Sequence, residues 1–285
     1  MQTLSQIKDL LAERGLSPKK SLGQNFLTDH NLITRLIDVS GVGPGDLVLE
    51  IGPGTGALTE ELLGRGCKVL ACELDDRLAE LNRDRFGEMF PDTFSLVHGD
   101  CLDGKRAINK ELAERLSGRP FTMVANLPYG AATPLMLTLL TQWPGCGGQF
   151  VTVQREVADR LAAGPSQSKV YGAISVVASA LSTVKKIAVL PRECFWPRPD
   201  VTSAMIGLTR CENPIAGDDS AWWPEMAQIT SDLFQTRRKQ LGSTLRRMGV
   251  GEIEWPTGVV ATDRPEALTP EQIVALARAV RASIG

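Results

Sequence analysis

Asn126-Leu127-Pro128-Tyr129 ends an apolar run in the stretch VANLPYGAATPL, placing an amide, a rigid imino acid and an aromatic ring within four residues. The amide oxygen can accept hydrogen bonds, proline stiffens the backbone that presents it, and tyrosine can stack on a ring. That set suits a pocket for something flat and polar. Upstream, LEIGPGTGALT places Gly52, Gly54 and Gly56 between a strand-like run and a helix-like one. Glycines there let the backbone turn sharply and pass close to a ligand. The spacing is GxGxG rather than the GxGxxG of a dinucleotide site, and no Gly-Lys-Ser/Thr follows as a phosphate loop requires. An acid, Glu50, precedes the glycines. Two further acids end strand-like runs: Glu73 closes KVLACE and Asp100 closes FSLVHGD. In an open parallel sheet, ligands lie across the carboxyl ends of the strands. A carboxylate after the second strand can accept from both hydroxyls of a ribose, and one after the third from an adenine amino group. Leu74 and Leu102 are placed to flank the ring. Three such strand-end features in order predict a nucleoside site.

The elements that hold these residues are legible in the periodicity. Apolar positions Leu4, Ile7, Leu10 and Leu11 predict a helix over 4–14. Asp29 predicts the N-cap of a second helix with Leu32, Ile33, Leu36 and Ile37 on its inner face. From Asp46 onward the runs DLVLEI, CKVLACE, FSLVHGD, FTMVAN and QFVTVQ have strand length. Helices are expected between them near 57–65, 76–86, 105–116 and 133–141. Strand and helix in alternation predict a parallel sheet covered on both faces. A helix over 171–181 and the strands VKKIAVL and TSAMIGL follow, the strands separated by PRECFWPRPDV. Residues 211–219 read as a linker, and helices over 221–235, 237–248 and 271–282 complete the chain. The expected organisation is an α/β, Rossmann-like domain over 1–210 and a small all-helical domain over 219–285.

Composition narrows the function. With 285 residues, 43% hydrophobic and 22% charged, the chain is an ordinary globular protein with room for a sizeable core. No apolar run is long enough to span a bilayer and the N-terminus opens no signal peptide, so the expected location is cytoplasmic. Six scattered cysteines without a CxxC pair, and only two histidines, predict reduced thiols and no metal site. The shortage of histidine also argues against a Ser-His-Asp or Cys-His hydrolase. A formal net charge of −2 means that any RNA must be met by local basic patches.

The segments KKSLGQNFL, LEIGPGTGALT, ELD, GD and NLPY, continued by QREVADRLAAGP, VYGAISV, FWPRPDVTSA, LFQTRRKQL and RPEALTPEQI, resemble the ribosomal RNA adenine dimethyltransferases. The similarity is closest to the small-subunit, kasugamycin-resistance branch, and it spans about residues 19–275. The resemblance implies an S-adenosylmethionine-dependent methyltransferase acting on the exocyclic amine of adenosine. Its substrate would be two adjacent adenosines near the 3′ end of small-subunit RNA, each methylated twice. Carried over by motif, Gln24, Asn25, Leu27, Gly52, Gly54, Gly56, Glu73, Leu74, Asp100, Leu102 and Asn126 would line the cofactor. Asn126, Leu127, Pro128 and Tyr129 would form the transfer site, with Phe195 on the opposite face of the base. The Asn126 side-chain oxygen and the Leu127 carbonyl would accept the two amine hydrogens, favouring a tetrahedral nitrogen with a free lone pair.

RNA contacts are expected from Lys19 and Lys20 and from Arg237, Arg238, Lys239, Arg246 and Arg247. On a helix over 237–248, Lys239 and Arg246 share one face, above a stripe of Phe234, Leu241, Leu245 and Met248. The expected partner is RNA within an assembling small subunit, met by a monomer. The chain departs from the family pattern at Ala131, at Arg198 and in LGSTLRRMG, which bears on substrate and product multiplicity rather than on the chemistry. Competing readings are a large-subunit adenine methyltransferase of the antibiotic-resistance kind, an assembly or transcription factor without turnover, a DNA adenine methyltransferase (disfavoured by Leu127) and a nicotinamide dehydrogenase.

Overall fold

The computed structural model describes residues 2–104, 107–167 and 169–284. The chain opens with α1 (Leu4–Glu13), whose N-cap Thr3 and residue Gln6 form a reciprocal capping box. Ile7 and Leu11 bury its inner face against Phe26, Leu78 and Leu81. The short β1 (Phe26–Leu27) leads to α2 (His30–Ser40), capped as expected by Asp29, which accepts the Leu32 N–H at 3.2 Å.

The alternating body then runs β2 (Leu47–Ile51), α3 (Ala57–Gly64), β3 (Lys68–Glu73), α4 (Asp76–Asn82), β4 (Phe94–His98), β5 (Leu102–Asp103), β6 (Ala107–Ile108), α5 (Lys110–Leu116), β7 (Phe121–Asn126), α6 (Tyr129–Gln142) and β8 (Cys146–Gln154). It continues through α7 (Arg155–Leu161), α8 (Ala173–Leu181), β9 (Ser182–Leu190), β10 (Phe195–Trp196) and β11 (Ser203–Arg210). Helices α9 (Trp223–Phe234), α10 (Leu241–Arg247) and α11 (Pro270–Ile284) close the chain.

Seven strands form the main sheet in the order β4-β3-β2-β7-β8-β11-β9. The pairs β2–β3, β3–β4, β2–β7 and β7–β8 are parallel. The chain therefore moves outward from β2 to β4 and then returns to β7 on the other side of β2. That reversal is the topological switch point, where a crevice opens beyond the carboxyl ends of the strands. Glu73 and Asn126 end β3 and β7, and Gly52 follows β2 directly. Helix α2 packs on β7 and β8, and α3 and α4 on β3. Val48, Val69, Val124, Phe150 and Met205 belong to the core beneath them.

Cα proximity groups the chain into two compact units. The first comprises Met1–Thr138, Gly145–Arg155 and Lys186–Gly207, and the second Leu139–Pro144, Glu156–Lys185 and Leu208–Gly285. Within the second, α8 packs against α9 and α11. Fully buried Tyr171 meets Phe234 edge-on at 5.7 Å and donates its hydroxyl to the Leu268 carbonyl at 3.0 Å.

Four elements differ from the sequence reading. The helix expected over 133–141 begins at Tyr129, because proline holds Leu127 extended and presents a backbone already shaped for a helix start. The helix expected over 105–116 spans Lys110–Leu116, where the Asn109 side chain caps two N–H groups; residues 105 and 106 lie outside the described residues. The helix expected over 237–248 shortens to Leu241–Arg247. There the Leu241 and Gly242 N–H groups bond to the Asp263 and Ala261 carbonyls, so residues 235–239 form a turn. Lys239 consequently does not share a helical face with Arg246. The stretch QREVADRL, to which the sequence reading assigns no element, forms α7.

Candidate functional site

A cavity of about 540 Å³ opens at the switch point, lined by the segment Lys20–Leu27, the glycine loop, the ends of β3 and β7 and the turn after β4. All of its lining lies in the first unit.

The glycine loop is clamped from behind. Gly54 has φ +60°, and a Cβ there would sit 2.8 Å from the Phe26 ring. At Gly56, φ +81°, a Cβ would sit 2.5 Å from the Phe86 ring and 2.8 Å from Asn82 Oδ1. Buried Asn82 donates its Nδ2 to the Gly54 carbonyl at 2.8 Å, and its own α4 backbone at Leu78 accepts the second hydrogen. Gly56 thus supports the loop without lining the cavity, whereas Gly52 and Gly54 line it. No sequence pattern distinguishes Asn82 from any other polar residue on a helix.

Glu73 is 6% exposed, and its carboxylate accepts the Gly54 N–H at 3.2 Å and the Asp75 N–H at 3.0 Å. Burial pushes its pKa up, and the backbone N–H groups work against that shift. An ionised carboxylate has about four lone-pair sites, so two remain for hydroxyl donors. Leu74, next to it, is 50% exposed on the cavity wall, and Leu102 lies beyond Asp100 in the same lining. Asp100 is exposed and accepts the Leu102 N–H at 3.0 Å, fixing the turn. Glu50, treated in the sequence only as the acid before the glycines, proves to be 1% exposed and in the cavity wall. Its carboxylate accepts the Thr59 hydroxyl at 2.7 Å.

Asn126 is oriented by the N-terminal segment. Its Nδ2 donates to the Asn25 carbonyl at 2.9 Å, which leaves Oδ1 as the acceptor for a ligand. The Leu127 N–H is used by the Thr152 carbonyl at 3.1 Å, so the backbone of Leu127 offers a ligand its carbonyl alone. Tyr129 is half-buried, and its hydroxyl shares a 2.7 Å hydrogen bond with the buried Ser203 hydroxyl. Burial raises the Tyr129 pKa, so the phenol stays neutral. Ser203 stands in the VTSA end of the motif FWPRPDVTSA, yet nothing in its spacing ties it to Tyr129.

Asn25 and Leu27 also line the cavity. Gln24 does too, although its amide is engaged: Nε2 donates to Asp75 at 3.1 Å and Oε1 accepts the Lys19 N–H at 2.7 Å. The Lys19 ammonium lies 2.8 Å from the same buried Asp75 carboxylate, whereas Lys20 is exposed at the cavity rim. Phe195 is outside the lining; it is buried in the core and pairs with Leu27 across β1 and β10. In the second unit, Arg237 donates to the Lys169 and Tyr171 carbonyls at 3.3 Å, and Arg247 to Gln235 and to the Asp232 carbonyl. Arg238, Lys239 and Arg246 are exposed.

The acidic side chains of Glu50, Glu73 and Asp100 and the amide oxygen of Asn126 stand around the cavity, and among the described residues Lys20 at the rim is the one basic side chain in its lining. Hydroxyls, an amine and a positively charged sulfonium are what such a set takes, so the residues fit S-adenosylmethionine. Among the described residues no three His, Cys, Asp or Glu side chains gather as a metal group, and no helix is long and apolar enough to cross a membrane.

Residues 15–281 match the family described as ribosomal RNA adenine dimethylase. Ribosomal RNA small subunit methyltransferase A of Bifidobacterium adolescentis is 38% identical over 286 residues, covering 97% of this chain and 93% of its own. Among solved structures, a dimethyladenosine transferase from Plasmodium falciparum has a TM-score of 0.68 at 20% identity, covering 88% of this chain and 95% of that one. The 23S rRNA methyltransferase ErmE has a TM-score of 0.64 at 24% identity, covering 90% and 100%. At such identities both speak for the fold alone, and they speak about equally. The fold is that of the S-adenosylmethionine-dependent methyltransferases, and S-adenosylmethionine is the methyl donor. A match across nearly the whole length, together with a relative this similar from end to end, makes the chain a member of the ribosomal RNA adenine dimethylase family.

Proposed function

We propose that the protein dimethylates the N6 amines of two adjacent adenosines near the 3′ end of small-subunit ribosomal RNA, during assembly of that subunit. The observation that carries this reading is the Asn126–Asn25 hydrogen bond, which turns the amide oxygen of the NLPY motif toward use as an acceptor. S-Adenosylmethionine supplies an already activated methyl group. The chain's task is therefore orientation and electrostatics. Asn126 Oδ1 and the Leu127 carbonyl accept the two amine hydrogens, so the nitrogen lone pair is freed from the ring. Pro128 stiffens the turn and the Tyr129 ring stacks on the base once it leaves its helix. The amine becomes strongly acidic on alkylation, so no histidine base is needed.

Glu73 takes the ribose hydroxyls and Asp100 the adenine amino group, with Leu74 and Leu102 on either face of the ring and Gln24, Asn25, Leu27, Gly52 and Gly54 around the remainder. Phe195 acts from behind, by holding together the β1–β10 pair that carries Leu27 and Trp196. Lys20, Arg238, Lys239 and Arg246 contact phosphates. Lys19, Arg237 and Arg247 brace the segments that carry them. Residues 1–210 perform the chemistry and residues 219–285 contact RNA. The enzyme works as a monomer in the cytoplasm, and its acidic balance suits a folded ribosomal surface rather than arbitrary RNA.

Incubation with labelled S-adenosylmethionine and immature small subunits, large subunits or naked RNA, followed by mapping of the modified adenosines, tests this. Label confined to small-subunit RNA is expected. Label confined to large-subunit RNA transfers the enzyme to the antibiotic-resistance branch, and no label at all favours an assembly factor.

A further inference from the structure

Glu50 is an acidic side chain in the wall of the cavity at the switch point. It is buried to 1% exposure on β2, and its side chain has one hydrogen-bond partner, the Thr59 hydroxyl of α3 at 2.7 Å. Among the described residues no lysine or arginine forms an ion pair with it. The charged and titratable groups around the same cavity are Glu73 and Cys72 from β3, Asp100 and Cys101 from the turn after β4, Tyr129 from α6, and Lys20 at the exposed rim. From α3 the Thr59 hydroxyl donates to Glu50, and Ala57 and Leu58 add apolar wall to the cavity. Of these groups, Glu73 is the one whose charge acts on Glu50, and it is of like sign. A buried carboxylate beside a second carboxylate, with a single neutral donor, lacks the positive charge that would hold it ionised.

Resting on the assignment of this cavity to the methyl donor, we infer that Glu50 is a specificity residue for the donor's positive charge. It is protonated in the empty site, and it gives up that proton when a cationic ligand occupies the cavity. The methyl donor carries a sulfonium that its demethylated product lacks. The two otherwise offer the site the same hydroxyls, adenine, ammonium and carboxylate. A charge-responsive group in the wall therefore separates them where hydrogen bonding does not.

The direction is consistent with the environment. Burial is the largest influence on Glu50 and raises its pKa to about 8; the Thr59 hydrogen bond opposes that rise and the Glu73 charge adds to it. The empty protein thus holds the proton at neutral pH. A cation favours the ionised form, lowers that pKa and releases the proton. As pH rises above about 8 the group ionises without ligand, and the linked proton release disappears.

Isothermal titration calorimetry of the full chain with S-adenosylmethionine, S-adenosylhomocysteine and sinefungin tests this. Sinefungin bears an ammonium where the donor bears its sulfonium. Each titration is run at pH 7 and at pH 9 in buffers of differing ionisation enthalpy. Proton release is expected at pH 7 for the donor and for sinefungin, not for S-adenosylhomocysteine, and is expected to vanish at pH 9. In Glu50→Gln the release is lost, and the preference for the donor over its product falls about tenfold, equivalent to one pKa unit of linkage. Retained binding of S-adenosylhomocysteine certifies that the variant is folded. If it is not retained, Thr59→Val serves instead: removal of the sole donor disfavours the carboxylate, so donor affinity falls and product affinity holds. Equal proton release for donor and product, or an unchanged preference in the variants, overturns the inference. Failure of all three ligands to bind the wild-type protein overturns the donor-site assignment itself.

Discussion

The Asn126 side-chain nitrogen donates to the Asn25 main-chain carbonyl at 2.9 Å, so a segment of the cavity wall orients the amide. Asn126→Ala is expected to lower kcat roughly 10²-fold or more, the scale for removing one hydrogen bond made to the reacting group. Calorimetric binding of S-adenosylhomocysteine should change little. Asn126→Asp keeps an acceptor but loses the donor to Asn25, so it should fall between the two. Normal turnover of Asn126→Ala with labelled donor would refute the assignment.

Tyr129 and Ser203 form a separable pair. Tyr129→Ala removes the stacking surface, worth about 1–3 kcal/mol per base, and should appear as weaker RNA binding and a raised KM for RNA. Tyr129→Phe keeps the ring but strands the buried Ser203 hydroxyl, at a stability cost of about 1–3 kcal/mol. Adding Ser203→Ala should recover much of that stability in urea denaturation without altering KM. A Tyr129→Phe variant as impaired in KM as Tyr129→Ala would show that the hydroxyl, not the ring, meets the substrate.

The residues that announced the site did so through backbone demands. Gly52, Gly54, Glu73, Asp100 and Asn126 stand at strand ends because a parallel sheet with a switch point places its ligands there, and that order is visible in one dimension. What remained hidden depends on pairs far apart in sequence. Asp75 gathering Lys19 and Gln24, Asn82 holding the Gly54 carbonyl, and Phe195 turned into the core are tertiary facts with no periodic signature. The start of α6 at Tyr129 is hidden in the sequence because Pro128, Gly130 and Pro134 read as helix breakers around Ala131-Ala132. The shortening of α10 has no local signal, because the carbonyl that takes the Leu241 N–H, that of Asp263, lies more than twenty residues on.

Asp75 gives the protein an acid-sensitive contact. Burial alone would raise its pKa, but the hydrogen bonds from Lys19 and Gln24, with that to the Arg77 N–H, outweigh burial and hold it below 3.8. A carboxyl with a depressed folded pKa contributes stability above its unfolded value and loses it as pH falls through the folded one. Wild-type stability should therefore decline as pH falls below about 4, and Asp75→Asn should flatten that decline. Lys19→Met leaves the carboxylate buried without its cation, so the acid limb should move to higher pH. Urea melts across the acid range check both directions. An unmoved limb in Lys19→Met would mean the pair is too solvated to matter.

Gly56 is a structural requirement rather than a ligand contact. Gly56→Ala combines a left-handed backbone with a methyl 2.5 Å from the Phe86 ring. The expected loss is about 1–2 kcal/mol from the backbone and about 1–3 kcal/mol from overpacking. Donor affinity should fall through the displaced loop. Full stability and affinity in this variant would mean that the loop relaxes away from Phe86 freely.

The cations of the second unit divide by what they already hold. Arg237 is bound to the Lys169 and Tyr171 carbonyls and lies 3.7 Å from Glu266, whereas Arg238 and Lys239 project from the turn exposed. Arg237→Ala should lower the thermal midpoint, because it unpins the turn from the buried Tyr171 segment. Arg238→Ala and Lys239→Ala should leave that midpoint in place and weaken small-subunit binding. Each lost phosphate contact should also reduce the slope of log affinity against log salt by about one. Measurement of affinity at three or more salt concentrations separates the two kinds of loss. An unchanged slope in the Arg238→Ala, Lys239→Ala double variant would remove this turn from the RNA interface, while a reduced slope in Arg237→Ala at full stability would add Arg237 to it.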